Sequence, residues 1–321
     1  MVLPTTNISA LNLLLLSLIC FSLWPNLYKR DEAVWRFELF SLDFALGALL
    51  FAFLAAYTLG MLGSEMSFTD RMLIAGRTAE IPIVAAGILY AFGNVLLLAS
   101  VSTLGFSVAF PLTFGSAMAV MALFRFFLGS PGFAVAAIIL LVFSVIFASL
   151  ASKQQSLRTR ALAVFGGAVL GCVPALVKLT ADPEFGPGPY ATLLMLAIGV
   201  LVSTPLYAFF LMNIRTTGGP IGVGHYFRGT AGQHGRGVAS GVIWAAGALA
   251  LLLALNVTGE QAPGPSSALM VPVSSVLVCM FLGASPWKEL ARIPRSVKLW
   301  IGFSAACFAA GVALLSSSYA K

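Results

Sequence analysis

Charge is scarce in this sequence. Asp, Glu, Lys and Arg make up 9% of its 321 residues, where a soluble domain carries roughly 25%. The length alone would suit two soluble domains, but 60% hydrophobic residues and so little polar surface exclude them. Histidine is scarcer still. His225 and His234 lie nine residues apart in one glycine-rich stretch, without cysteine or clustered carboxylates, so no metal site is expected. The four cysteines (Cys20, Cys172, Cys279, Cys307) fall inside apolar runs without ligand spacing, which predicts small hydrophobes rather than disulfides or ligands. No Gly-Lys-Ser/Thr follows the glycines between Gly218 and Gly237, so that stretch is no phosphate-binding loop, and no cofactor is implied. The apolar runs hold no Ser/His or paired-Asp arrangement, so an intramembrane enzyme is not expected.

What the sequence does hold is apolar runs of membrane length. A bilayer core of ~30 Å takes about 20 apolar residues per helix. Ten such segments are predicted, at about 8–27, 39–62, 80–101, 104–125, 132–151, 161–179, 190–213, 237–257, 266–284 and 298–317. The expected fold class is therefore an all-α membrane protein with ten transmembrane helices. The first run has no Lys or Arg before it, and Trp24-Pro25-Asn26-Leu27 makes a poor cleavage site, so it is read as a helix rather than a signal peptide. The one long interruption is Thr216 to Arg236. The net charge of +7 does not point to nucleic acid, because the basic residues sit at segment ends, where orientation signals and lipid headgroups account for them.

Orientation follows from those basic residues. Thirteen (Lys29, Arg30, Arg36, Lys153, Arg158, Arg160, Arg215, Arg228, Arg236, Lys288, Arg292, Arg295, Lys298) fall after odd-numbered segments, against five (Arg71, Arg77, Arg125, Lys178, Lys321) on the other side. The positive-inside rule then places both termini outside the cytoplasm. The chain also repeats itself. Pro25-x-Leu-x-Lys29 recurs as Pro174-x-Leu-x-Lys178, 149 residues on. Gly87-x-x-Tyr90-x-x-Gly93 recurs as Gly241-x-x-Trp244-x-x-Gly247, 154 residues on, and Pro111 has a counterpart in Pro272. The implied domains are two five-helix repeats, 1–152 and 153–321. Five is odd, so the halves are inverted in the membrane, an arrangement suited to alternating access at the midplane.

Several stretches resemble one family. Arg36-Phe37-Glu38-Leu39-Phe40-x-x-Asp43-x-x-x-Gly47, Gly93-Asn94, Gly105-x-Ser107-Val108-Ala109-Phe110-Pro111, Tyr226-x-x-Gly229, His234-x-x-Gly237, the Gly241 to Gly247 motif and Trp287-Lys288-Glu289-Leu290 are similar to the ureide permease and glucose/ribose-uptake branch of the drug/metabolite transporter superfamily. Rhamnose–proton symporters are more distant relatives of that branch. The resemblance spans most of the chain and implies a ten-helix importer of a small polar solute, a sugar or a ureide- or nucleobase-like compound, with protons as the coupling ion. The chain departs from the pattern at Ala248, where a second Asn would mirror Asn94.

The candidate site residues follow from the cost of polar groups in lipid. Asp43 lies a turn or two inside a segment, where a carboxylate faces the bundle interior and often serves a function. A carboxyl taken out of water holds its proton more readily, so Asp43 is the candidate proton-coupling residue. An anchor paired with a nearby Arg or Lys is the competing reading. Glu38, five residues earlier and on a different face, is a weaker coupling candidate and a partner for Arg36 or Lys29. Asn94 offers donors and an acceptor to a polar ligand, or else glues helices together; Asn12 is open between the same two roles. Lys178 either binds an anionic solute, neutralises a buried carboxylate or snorkels to headgroups. Tyr90, Trp244 and Tyr207 can wall a cavity and stack on a sugar face or planar heterocycle, whereas Trp24 is assigned to the interfacial aromatic belt. Pro111, Pro174, Pro205 and Pro272 are expected to break or kink their helices, and Pro111, Pro174 and Pro272 are the candidate hinges. The glycine-rich stretch is read as a flexible cytoplasmic loop, or as a gate that moves during transport.

Together these features predict a proton-coupled importer in a bacterial cytoplasmic membrane, with the bilayer and a small solute as partners. Export of drugs or metabolites is the alternative, and a non-transporting scaffold the remote one. Small residues in the fifth and tenth segments suit a homodimer, and equally suit packing within one chain.

Overall fold

A computed structural model of the chain describes residues 1–63, 65–127, 133–180, 185–214, 219, 221–257, 265–291 and 293–318, without the side chains of 265–269 and 272. Arg215, Gly218, Arg292 and Lys321 lie outside the described residues, as does the Pro272 side chain. The described elements are all helical: α1 (Asn7–Asp31), α2 (Phe37–Tyr57), α3 (Phe68–Leu104), α4 (Phe106–Phe127), α5 (Ala134–Ala151), α6 (Leu157–Lys178), α7 (Gly188–Asn213), α8 (Ala231–Leu255), α9 (Pro265–Ala284) and α10 (Arg295–Ser317). A 3-10 turn, Val223–Arg228, lies between α7 and α8. Among the described residues nine helices are long and apolar enough to cross a membrane; in α9 the apolar stretch Val273–Ala284 is shorter. This is the architecture of an all-α, multi-pass membrane protein. Helices suit lipid because each satisfies its own backbone hydrogen bonds.

The largest departures from the expected segment ends are at α2, α3 and α8. α2 stops at Tyr57 because Thr58 (φ −108°, ψ −83°) leaves the helical region. α3 begins at Phe68, well before the expected start, and is broken at Gly76 (φ 64°, ψ −176°), a backbone that glycine adopts without a steric penalty. The polar residues Asp70, Arg71 and Arg77 conceal that early stretch from a hydropathy reading. α8 begins at Ala231 rather than near residue 237. Thr230 Oγ1 accepts the Gln233 amide at 3.3 Å and Gln233 Oε1 accepts the Thr230 amide at 2.8 Å, so a capping box starts the helix inside the supposed loop. α4, α6 and α7 run as single helices through Pro111, Pro174 and Pro205, so the expected breaks do not occur there. A proline removes only one backbone bond, which membrane helices tolerate when their surroundings compensate.

The chain folds into two compact units, Met1–Phe92 with Val173–Gly264, and Gly93–Cys172 with Pro265–Lys321. Each unit draws on both sequence halves. In the first, α8 packs along α1 and α2, and α2 also packs on α7. Small residues set these contacts, as expected where lipid removes the hydrophobic drive between helices. A Cβ on Gly47 of α2 would collide with the Val238 carbonyl of α8, and one on Gly241 of α8 with the Phe44 carbonyl of α2. Likewise Gly199 of α7 faces the Val84 carbonyl of α3, and Gly87 of α3 faces the Leu196 carbonyl of α7. Val84 and Gly87 precede Val238 and Gly241 by 154 residues, and Phe44 and Gly47 precede Leu196 and Gly199 by 152. In the same unit Gly247 of α8 abuts Phe21 of α1.

In the second unit α5 packs along α10 and α4, and α4 packs on α9. Gly93 of α3 abuts Leu170 of α6, which follows Phe21 by 149 residues. The small-residue faces of α5 and α10 meet each other: Ser144 Oγ donates to the Ser304 carbonyl at 2.9 Å, and Ser304 Oγ to the Ser144 carbonyl at 2.8 Å. Between α3 and α4 the chain turns at Gly105 (φ 74°). Glu289 fills the space beside that glycine and caps α4, accepting the amides of Phe106 and Ser107 at 2.9 and 3.0 Å and the Ser107 hydroxyl at 2.9 Å.

Candidate functional site

Asp43 sits near the start of α2 with 1% of its surface exposed. A bare carboxylate buried this way is costly, and three donors from other parts of the first unit meet it. Tyr226 of the 3-10 turn donates its hydroxyl to Oδ1 at 2.6 Å. His234 of α8 places Nδ1 2.8 Å from the same oxygen, and with Asp43 ionised that nitrogen must carry the proton. The Trp35 indole, in the turn between α1 and α2, donates to Oδ2 at 3.2 Å. The rings of Trp35 and Tyr226 meet the imidazole edge-on, at centroid distances of 5.0 and 4.7 Å. Two glycines make the room: a Cβ on Gly237 would lie 2.4 Å from the Asp43 Cβ, and one on Gly229 would lie 2.5 Å from the Trp35 ring and 2.6 Å from His234 Nε2. Burial first, then the bond to Asp43 and its charge, push the Tyr226 phenol well above the ordinary tyrosine value, so it stays a donor.

Other ion pairs surround this cluster. Asp31, at the end of α1, pairs with Arg236 of α8. Glu38 is fully buried and accepts Arg36 Nε at 3.2 Å and Nη2 at 2.5 Å, while Arg36 Nη1 also donates to the Gly219 carbonyl. Lys29 binds Glu32 at 2.6 Å. Among the described residues Asp43 therefore has neither an Arg nor a Lys as partner; its donors are an imidazole, a phenol and an indole.

The aromatic candidates come together in the same unit. Tyr90 of α3 and Trp244 of α8 lie in direct ring contact, 4.5 Å between centroids at 31°. Trp244 continues to Phe44 at 5.5 Å, and Phe44 to Trp24 at 5.2 Å. Trp24 is only 4% exposed, which corrects its assignment to an interfacial belt. It is drawn inward because α8 packs on α1, where Ser240 donates to the Trp24 carbonyl at 2.9 Å. Tyr207 of α7 is half-buried against Phe92, 4.8 Å away.

Asn94 belongs to the second unit, 3% exposed, and its Oδ1 has no hydrogen-bond partner among the described residues. Asn12 and Lys178 are exposed, on α1 and at the end of α6; Pro111 is buried in α4 and Pro174 exposed in α6.

Sequence reading missed the roles of His234 and Tyr226. It left both histidines in one loop, whereas His225 is exposed in the 3-10 turn, with Nδ1 3.1 Å from the Gly222 carbonyl, and His234 is helical. The available signal was Thr230-x-x-Gln233, which starts α8 early enough to carry His234 onto the face bearing Gly237 and Gly241. Among the described residues no group of three His, Cys, Asp or Glu could hold a metal. No protein-family model and no curated protein matches this chain.

Proposed function

We propose that this protein is a secondary transporter that imports a small polar solute, a sugar or a ureide- or nucleobase-like compound, with protons as the coupling ion. The observation that carries this reading is Asp43, buried in a membrane-length helix yet hydrogen-bonded to a partly exposed histidine. An ionisable residue inside a span marks a functional path by default.

The proposal includes ten membrane crossings arranged as two inverted five-helix repeats, 1–152 and 153–321, which alternate access to a midplane site. Its support is the recurrence of helix contacts. The α2–α8 approach through Gly47, Gly241, Phe44 and Val238 is repeated between α7 and α3 by Gly199, Gly87, Leu196 and Val84. Exchanging the halves turns one set into the other. Tyr90 and Trp244, equivalent by the same offset, touch each other, as residues beside a local twofold axis do. Within the reading, Tyr90, Trp244 and Tyr207 offer stacking surfaces to the solute in the first unit; Asn94, in the second, is a separate candidate, a buried acceptor with no partner among the described residues. The membrane is the bacterial cytoplasmic one, with both termini outside.

The test is accumulation of labelled sugars, ureides and nucleobases in proteoliposomes, with and without an inward proton gradient. Gradient-dependent accumulation of one class, lost in Asp43→Asn, is the expected result. Uptake indifferent to both the gradient and Asp43→Asn ends the coupling claim. Export is the competing direction; the Trp24–Phe44–Trp244–Tyr90 column favours it, and resistance to apolar cations on expression is its signature.

A further inference from the structure

We infer that His234 is the proton relay of this site: it takes a proton from water on Nε2 and passes the one on Nδ1 to Asp43. The inference rests on the coupling role proposed for Asp43 and adds the route by which the proton reaches it. Asp43 is 1% exposed, whereas the His234 side chain is 29% exposed, so the imidazole is the part of the pair that water can reach. Its two nitrogens face different surroundings. Nδ1 lies 2.8 Å from Asp43 Oδ1, and Nε2 points at the bare Cα of Gly229, where a side chain would crowd it.

The proton balance closes without any further reactant. With Asp43 ionised and His234 neutral, the imidazole carries its proton on Nδ1 and turns the Nε2 lone pair toward Gly229. Protonation at Nε2 gives an imidazolium. Transfer of the Nδ1 proton to Oδ1 leaves a neutral carboxyl and a neutral imidazole protonated on Nε2. The new carboxyl O–H then donates to Nδ1, and Oδ1 keeps its bond from Tyr226. The other donors cannot replace His234. The Trp35 indole does not exchange a proton in this range, and the Tyr226 phenol is held in its neutral form. The nearby cations are already engaged, Arg236 by Asp31 and Arg36 by Glu38.

The experiment uses the full chain in vesicles of phosphatidylethanolamine and phosphatidylglycerol. Infrared difference spectra after a downward pH jump follow the carboxylic C=O band that Asp43→Asn removes. His234→Asn keeps an N–H near the position of Nδ1 but cannot relay a proton. It should leave the final band amplitude unchanged and slow its rise by about a hundredfold, the lower end of what a positioned acid–base group contributes. An unchanged rate overturns the relay while leaving the role of Asp43 intact. Absence of the band from the wild type at every pH overturns the Asp43 reading, and the relay with it. Imidazole ¹⁵N spectra of the wild type give a test free of mutation, since the chain has 2 histidines and His225→Gln assigns the signals. A persistent Nδ1–H above the transition supports the relay, and a bare Nδ1 facing ionised Asp43 excludes it.

Discussion

Asp43 in the first unit and Glu289 in the second both accept hydrogen bonds from distant parts of the chain, and the donors differ in kind. Glu289 is held by two backbone amides and one serine hydroxyl at the start of α4, none of which gives up its proton under ordinary conditions. That carboxylate is a cap: it satisfies amides that the first turn of a helix leaves open, and favours the positive end of the helix dipole. Asp43 is held by side chains alone, and one of them is an imidazole, whose second ring nitrogen stays free to exchange a proton. Two things separate these carboxylates: Asp43 is 1% exposed whereas Glu289 is partly exposed, and their donors differ in chemistry.

Substitutions that weaken one site and spare the other sharpen this contrast. The largest effect is expected from Asp43→Asn, which should abolish gradient-driven accumulation in proteoliposomes while solute exchange without a gradient continues. Next is Glu289→Ala, which leaves two α4 amides without their acceptor and should cost about 3 kcal/mol. Thermal unfolding in detergent measures that loss, and the pH dependence of uptake should not move. Gly105→Ala should reproduce part of it, because a side chain at φ 74° is strained and would meet the Glu289 carboxyl.

Tyr226→Phe is a smaller perturbation, about 1.5 kcal/mol for one bond to a charged group. Its sign with pH is defined, because a raised phenol stabilises the fold below the ordinary tyrosine value of about 10 and loses that contribution only as pH climbs through the higher folded value. The mutant and wild type should therefore converge in stability at strongly alkaline pH. The smallest effect belongs to Ser144→Ala, about 0.6 kcal/mol, as for other hydrogen bonds between membrane helices. A stability change there with no change in uptake would match its place in the reciprocal α5–α10 contact.

Most helix positions are legible in the amino-acid sequence, because apolar runs of membrane length leave the backbone few choices. The failures are local and physical. Hydropathy does not see α3 before residue 80, since Asp70, Arg71 and Arg77 dilute it, and it misses the first turns of α8, which are glycine-rich and start at a capping box. Asp43 stands out by its cost in lipid, but its partners do not. His234 lies 191 residues away and Tyr226 lies 183 away, and neither is conspicuous in composition.

The sequence by itself determined the helical, multi-pass class and the paired offsets of 149 and 154 residues, because length, hydropathy and spacing are local properties of the chain. The tertiary structure alone decided which polar side chains meet. That depends on how each helix is rotated about its axis, and in the first unit the rotation is set by glycines at 47, 237 and 241, which let α2 and α8 approach until Asp43 and His234 share a proton-binding contact.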